Sequence, residues 1–77
     1  MLESNQPRLI IPIPLFGDKE SVHYSYFKAR DEQIEADGMI VQRLYDMDAQ
    51  CWMYVVGYTW KGKYQETLTR DWFLNKV

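Results

Sequence analysis

The sequence predicts a mainly β domain: a small barrel of four to five antiparallel strands, with a short helical turn allowed at the C-terminus. Three observations carry this. Cys51–Trp60, CWMYVVGYTW, is rich in the aromatic and β-branched residues that suit a pleated, packed surface. Lys61-Gly62-Lys63 then has the composition of a hairpin turn, and YQETLT (residues 64–69) reads as the returning strand. Closely spaced short runs of this kind, joined by tight turns, suit a small barrel that closes its sheet rather than exposing its edges.

From the start of the chain, MLESNQP (residues 1–7) is polar and expected to fray. RLIIPIPLF (residues 8–16) follows. Pro12 and Pro14 cannot donate ladder hydrogen bonds, which predicts an extended edge segment lying across the core. Gly17-Asp18 marks a turn. In VHYSYF (residues 22–27), Val22, Tyr24 and Tyr26 alternate with His23, Ser25 and Phe27, as in a strand with two unlike faces. KARDEQIEAD (residues 28–37) has too few apolar residues to seat a helix, and a surface loop with some helical character is expected there.

Gly38 opens a second strand, MIVQRLY (residues 39–45), which the polar run 46–50 ends. In Cys51–Trp60, one face holds Trp52, Tyr54, Val56, Tyr58 and Trp60, and the other Cys51, Met53, Val55, Gly57 and Thr59. Both are apolar, which predicts a strand covered on both sides. Gly57 suggests a bulge or a sharp bend. RDWFLNKV (residues 70–77) fits either a short helix capped by Thr69 with Asp71 in its first turn, or a final edge strand.

With 77 residues the chain makes one domain, near the lower limit for a self-sufficient core. No staple of disulfide or zinc is on offer, since Cys51 and His23 are the only residues of their kinds. Aromatic residues make up 16% of the chain instead. That surplus implies either a well-filled small core or apolar surface shared with a partner, a second copy included. The single cysteine, the lack of a basic leader before Pro12, and the lack of a long apolar run predict a soluble cytoplasmic protein without a membrane span.

Net charge is −2, weak ground for a dedicated nucleic-acid binder. The distribution is uneven. Residues 1–37 hold four bases and seven acids, a balance of −3, whereas residues 57–77 hold Lys61, Lys63, Arg70 and Lys76 against Glu66 and Asp71, a balance of +2.

The run GMIVQRLYDMDAQCWMYVVGYTWKGKYQE resembles the SH3-like small barrels of bacteria. A glycine, a strand ending in Arg-x-Tyr-Asp, a polar turn, Trp-x-Tyr-x-Val, and a hairpin leading to an acid carry the likeness. It spans half to two thirds of the chain. Such barrels occur in short bacterial proteins, some of them cyanobacterial, of unassigned function, so the resemblance implies a fold and no site residues. Where those barrels often continue into Glu-x-x-Leu, this chain has Glu66-Thr67-Leu68, which leaves the register of the last strand open.

Nothing in the sequence specifies catalysis. His23 lacks a nucleophile at a recognisable spacing, and Cys51 begins an apolar strand, where a buried thiol is inert. Asp46-x-Asp48 lacks the glycine and distal glutamate of a calcium loop, and turn chemistry accounts for it better. Asp31, Glu32, Glu35 and Asp37 read as a solvated acidic loop, and no phosphate-cradling or nucleophile-elbow motif is present. No cofactor is implied.

The expectation is therefore a non-catalytic binding module for an unknown protein partner. The surface expected to carry it comprises Trp60, Lys61, Lys63, Tyr64, Arg70 and Trp72, aromatics interleaved with bases at the end of the aromatic ladder. The same residues would serve the alternative of single-stranded nucleic-acid binding, which the acidic total disfavours. A phage-type inhibitor of a host complex fits the size and acidity equally.

Overall fold

The computed structural model describes residues 10–77, so the fraying expected for residues 1–7 lies outside the described residues, as do Arg8 and Leu9. Strands β1 (Ser21–Ala29), β2 (Glu32–Asp46), β3 (Cys51–Trp60), β4 (Lys63–Thr69) and β5 (Leu74–Lys76) form one antiparallel sheet in the order β4-β3-β2-β1-β5. A single 3-10 turn, Asp71–Phe73, lies between β4 and β5. The chain leaves β4 at one edge of the sheet and returns beside β1 at the other, and the 3-10 turn touches both β1 and β3 on the way.

Alternation sets the two faces. Inward, β1 supplies Val22 and Tyr24, β2 supplies Ile34, Ala36 and Ile40, and β3 supplies Tyr54, Val56 and Tyr58. Leu74 of β5 and Phe16 complete this core. Tyr24 and Tyr58 meet across β2 at 5.0 Å because Ala36 and Gly38, lying between them, are small. A Cβ on Gly38 would lie 2.5 Å from the Gly57 carbonyl oxygen, so the position has no room for a side chain.

The second hairpin forms as its residues dictate. Lys61 and Gly62 both take positive φ, 51° and 78°, the requirement of a tight two-residue hairpin between paired Trp60 and Lys63. The register through β4 is unbroken, from Tyr54↔Thr69 to Trp60↔Lys63, which settles what the Glu66-Thr67-Leu68 departure left open. At the C-terminus both alternatives occur in turn, a 3-10 turn and then an edge strand. Arg70, not Thr69, precedes the turn, and no side chain caps it.

Three expectations need correction. Residues 28–37 are not a loop with helical character. They finish β1, turn at Arg30-Asp31, and begin β2. The strand pattern is present but faint: Ile34 and Ala36 face inward, while Gln33, Glu35 and Asp37 face out. The sheet imposes extension on residues whose own preference is for helix. Irregularities lie at Ile40–Gln42 in β2, opposite β3, and at Phe27–Ala29 in β1, and not at Gly57, which pairs regularly on both sides. Residues 10–16 are extended and lie across the core side of the sheet, as expected, held at Trp52 and Tyr54 with Phe16 in the core, but they pair with no strand and so form no edge of the sheet.

Candidate interaction surface

The outward face of β2, β3 and β4 presents an apolar surface among the described residues. Pairing places Leu44 beside Met53, Val55 between Gln42 and Leu68, and Met39 beside Gly57. The β2 bulge turns Val41 outward as well, within van der Waals range of Gly57. Tyr64 lies over Gly57, whose missing side chain makes the seat for its phenol ring. Met39, Val41, Leu44, Leu68 and Tyr64 are 46%, 45%, 40%, 55% and 63% exposed, and Met53 and Val55 are half-buried. These seven side chains form one apolar field on neighbouring strands, and no segment among the described residues crosses it.

Charge on this face has one sign. Outward positions on the three strands carry Glu35, Asp37, Asp46 and Glu66, and no lysine or arginine. Asp46 is engaged locally, its Oδ1 accepting the Asp48 and Ala49 N–H groups at 2.9 and 3.1 Å, which confirms turn chemistry at Asp46-x-Asp48. Glu66 accepts from the Tyr64 hydroxyl at 3.0 Å, and this bond, with burial and the carboxylate charge adding to it, raises the phenol above its ordinary range. Between Asp37, Met39 and Tyr64 opens a cleft of about 460 Å³, with Ser21, Thr59 and Val77 on its walls. At its acidic end, His23 contacts Asp37 at 3.0 Å and Glu35 at 3.5 Å. The bond to Asp37, then that to Glu35, raises the imidazole above its ordinary value.

The six residues singled out in the sequence are not brought together. Trp60 and Lys63 face inward at the hairpin tip, and Trp60 is half-buried against the core. Lys61 sits in the turn, 3.1 Å from Glu32, whose carboxyl it lowers by hydrogen bond and charge. Tyr64 points to the opposite face. Arg70 and Trp72 lie past the far end of β4, about 20 Å along the strand from the tip. There the guanidinium stacks 4.2 Å over the indole, and Trp72 remains 71% exposed. Of the six, only Tyr64 belongs to the apolar field.

Sequence reasoning missed Met39, Val41, Leu44, Met53, Val55 and Leu68 as surface. The available signal was the second apolar face of β3, read instead as a covered one. Among the described residues no cluster of three His, Cys, Asp or Glu side chains could hold a metal ion, and no helix is long and apolar enough to cross a membrane. Comparison with protein-family models, with curated proteins and with solved structures gives no match.

Proposed function

We propose that the protein is a non-catalytic protein-interaction module, acting through the outward face of β2, β3 and β4. One observation carries the reading: a contiguous apolar field that no described segment covers, whose charged neighbours on β2, β3 and β4 are all acids. Monomeric proteins seldom leave such a field bare unless something docks there. The rim selects the partner's chemistry. Glu35, Asp37 and Glu66 favour a protein surface with an apolar centre and lysine or arginine around it. The cleft beside Asp37 and Tyr64 is large enough to receive one such basic side chain.

The nucleic-acid reading draws less support. The acid-rimmed face repels phosphate, Lys61 is already paired with Glu32, and the stacked Arg70–Trp72 pair stands alone at its end of β4. Inhibition of a host complex would use the same outward face and is one form of the proposed activity. The five-stranded antiparallel sheet supports kinship with SH3-like small barrels at the level of fold. A cytoplasmic place of action belongs to the proposal, supported by the lone, unpaired Cys51.

Affinity capture from lysate of the source organism, with and without nuclease and read by mass spectrometry, tests the proposal. A stoichiometric protein partner that resists nuclease and is released by salt is the expected result. Recovery that collapses with nuclease would replace it with the nucleic-acid reading.

A further inference from the structure

We propose that residues 10–16 form an exchangeable arm, and that two copies of the chain dimerise by docking each arm on the Trp52–Tyr54–Arg43 surface of the other. The receptor is seen filled, here by the chain's own arm. The Trp52 indole N–H donates to the Pro12 carbonyl at 2.6 Å, and the Leu15 N–H donates to the Tyr54 hydroxyl at 3.0 Å. Arg43 reaches the Phe16 carbonyl at 3.5 Å and Asp18 at 3.2 Å. The Phe16 ring stands edge-on to Tyr54, 5.4 Å between centroids, and is buried. This surface grips the arm by its backbone and by one ring. Pro12 and Pro14 keep that backbone extended at little entropic cost, the economy by which aromatic-lined surfaces bind proline-rich segments.

What the grip leaves over points to the second copy. The side chains of Ile10, Ile11, Ile13 and Leu15 face solvent, Ile13 at 89% exposure. An arm whose purpose was to seal its own sheet would turn these inward. A partner arm brings the same backbone to the same donors, so every docking contact of the single chain can be remade between two chains. Two-fold symmetry would then set one leftover aliphatic strip near the other.

The connection is built for opening. Phe16 is the last residue docked on Tyr54, and Lys19 already donates its N–H to the Ile40 carbonyl at 2.8 Å, so only Gly17 and the Arg43-paired Asp18 lie between. Folding the arm back requires the turn closed by Glu20 N–H to the Gly17 carbonyl at 3.2 Å, with Lys19 held at φ 63°. A lysine in that left-handed region is strained, and short strained hinges favour exchange. This exchange does not depend on the outward face of the sheet.

The test mixes isotope-labelled and unlabelled full-length chains, unfolded and refolded together at high concentration. Isotope-filtered NOEs between Phe16 and Tyr54 are expected across chains, with a dimer seen in sedimentation. Lys19→Gly, which relaxes the closed turn, should reduce the dimer fraction several-fold without harming the fold. Trp52→Phe, which keeps a ring but loses the donor to Pro12 in closed monomer and dimer alike, should leave the dimer fraction little changed. A chain that is monomeric at every concentration, or one whose Phe16–Tyr54 contacts are all within a chain, overturns the proposal. So does a dimer indifferent to Lys19→Gly but broken by Leu68→Glu, which would assign self-association to the outward face.

Discussion

Strand β3 has two apolar faces, and they serve different ends. Tyr54, Val56 and Tyr58 point inward and are buried, while Met53 and Val55, their immediate neighbours in the chain, stand half-open. The strand is regular and the residue types are similar. The difference lies in what stands opposite. Inward, Phe16 and Tyr24 bring aromatic rings, and Leu74 closes the layer from the far edge of the sheet. Outward, no segment of the described chain crosses. Apolar composition makes a surface able to be buried, and the topology decides whether the chain itself buries it.

Substitutions on the two faces should separate stability from binding. The largest effect is expected at Tyr54→Ala, which removes a fully buried ring and the hydroxyl that accepts from Leu15. A loss of about 3–5 kcal/mol in denaturant unfolding is expected, enough to threaten folding in so small a domain. Val55→Ala, one residue away and outward, should cost less than about 1 kcal/mol because the side chain is already half open to water and leaves no closed cavity. Equal costs would mean that both faces are core.

The glycines sharpen the same contrast. Gly38→Ala drives a Cβ against the Gly57 carbonyl, and β2 must shift from β3, at about 1–3 kcal/mol. Gly57→Ala meets chiefly the hydroxyl end of the Tyr64 side chain, which can swing away. It should cost under about 1 kcal/mol in thermal or denaturant unfolding, while displacing Tyr64 from the field. A greater cost at Gly57 than at Gly38 would show that the outward face is the tighter one.

The smallest effect concerns His23. Asp37 and Glu35 raise its pKa above 6.5 in the folded chain, so the protonated imidazole favours folding. That contribution is complete below the unfolded value of about 6.5 and is lost as pH rises through the higher folded value. Comparing stability across this window in wild type and His23→Gln checks the sign: the wild type should lose a slight advantage with rising pH, and the variant should not. A wild-type advantage that grows with pH would reverse the assignment.

Much of the architecture was legible. Cys51–Trp60 begins and ends where its aromatic run does, and Lys61-Gly62 turns where a residue free to take positive φ was needed. The stretch 28–37 was not legible, because only Ile34 and Ala36 face the core there and the acids between them favour helix or loop in isolation. Pairing with β1 supplies the missing preference, and pairing is a non-local fact. The interaction surface failed for a related reason. Trp60, Tyr64 and Trp72 lie close in sequence, yet a strand sends alternate side chains to opposite faces and carries its ends far apart. The apolar field, by contrast, is gathered from three strands by register, and the Ile40–Gln42 bulge that adds Val41 to it leaves no mark in the sequence.

The central claim, that the outward face binds and the inward face folds, is most directly tested by measuring Leu68→Glu twice. Its unfolding midpoint should match the wild type within about 0.5 kcal/mol, since Leu68 is exposed and its backbone pairing with Val55 is unchanged. Capture of the nuclease-resistant partner should be abolished in the same preparation. A variant that captures the partner as well as the wild type would contradict the claim, as would one that loses the partner only because it no longer folds.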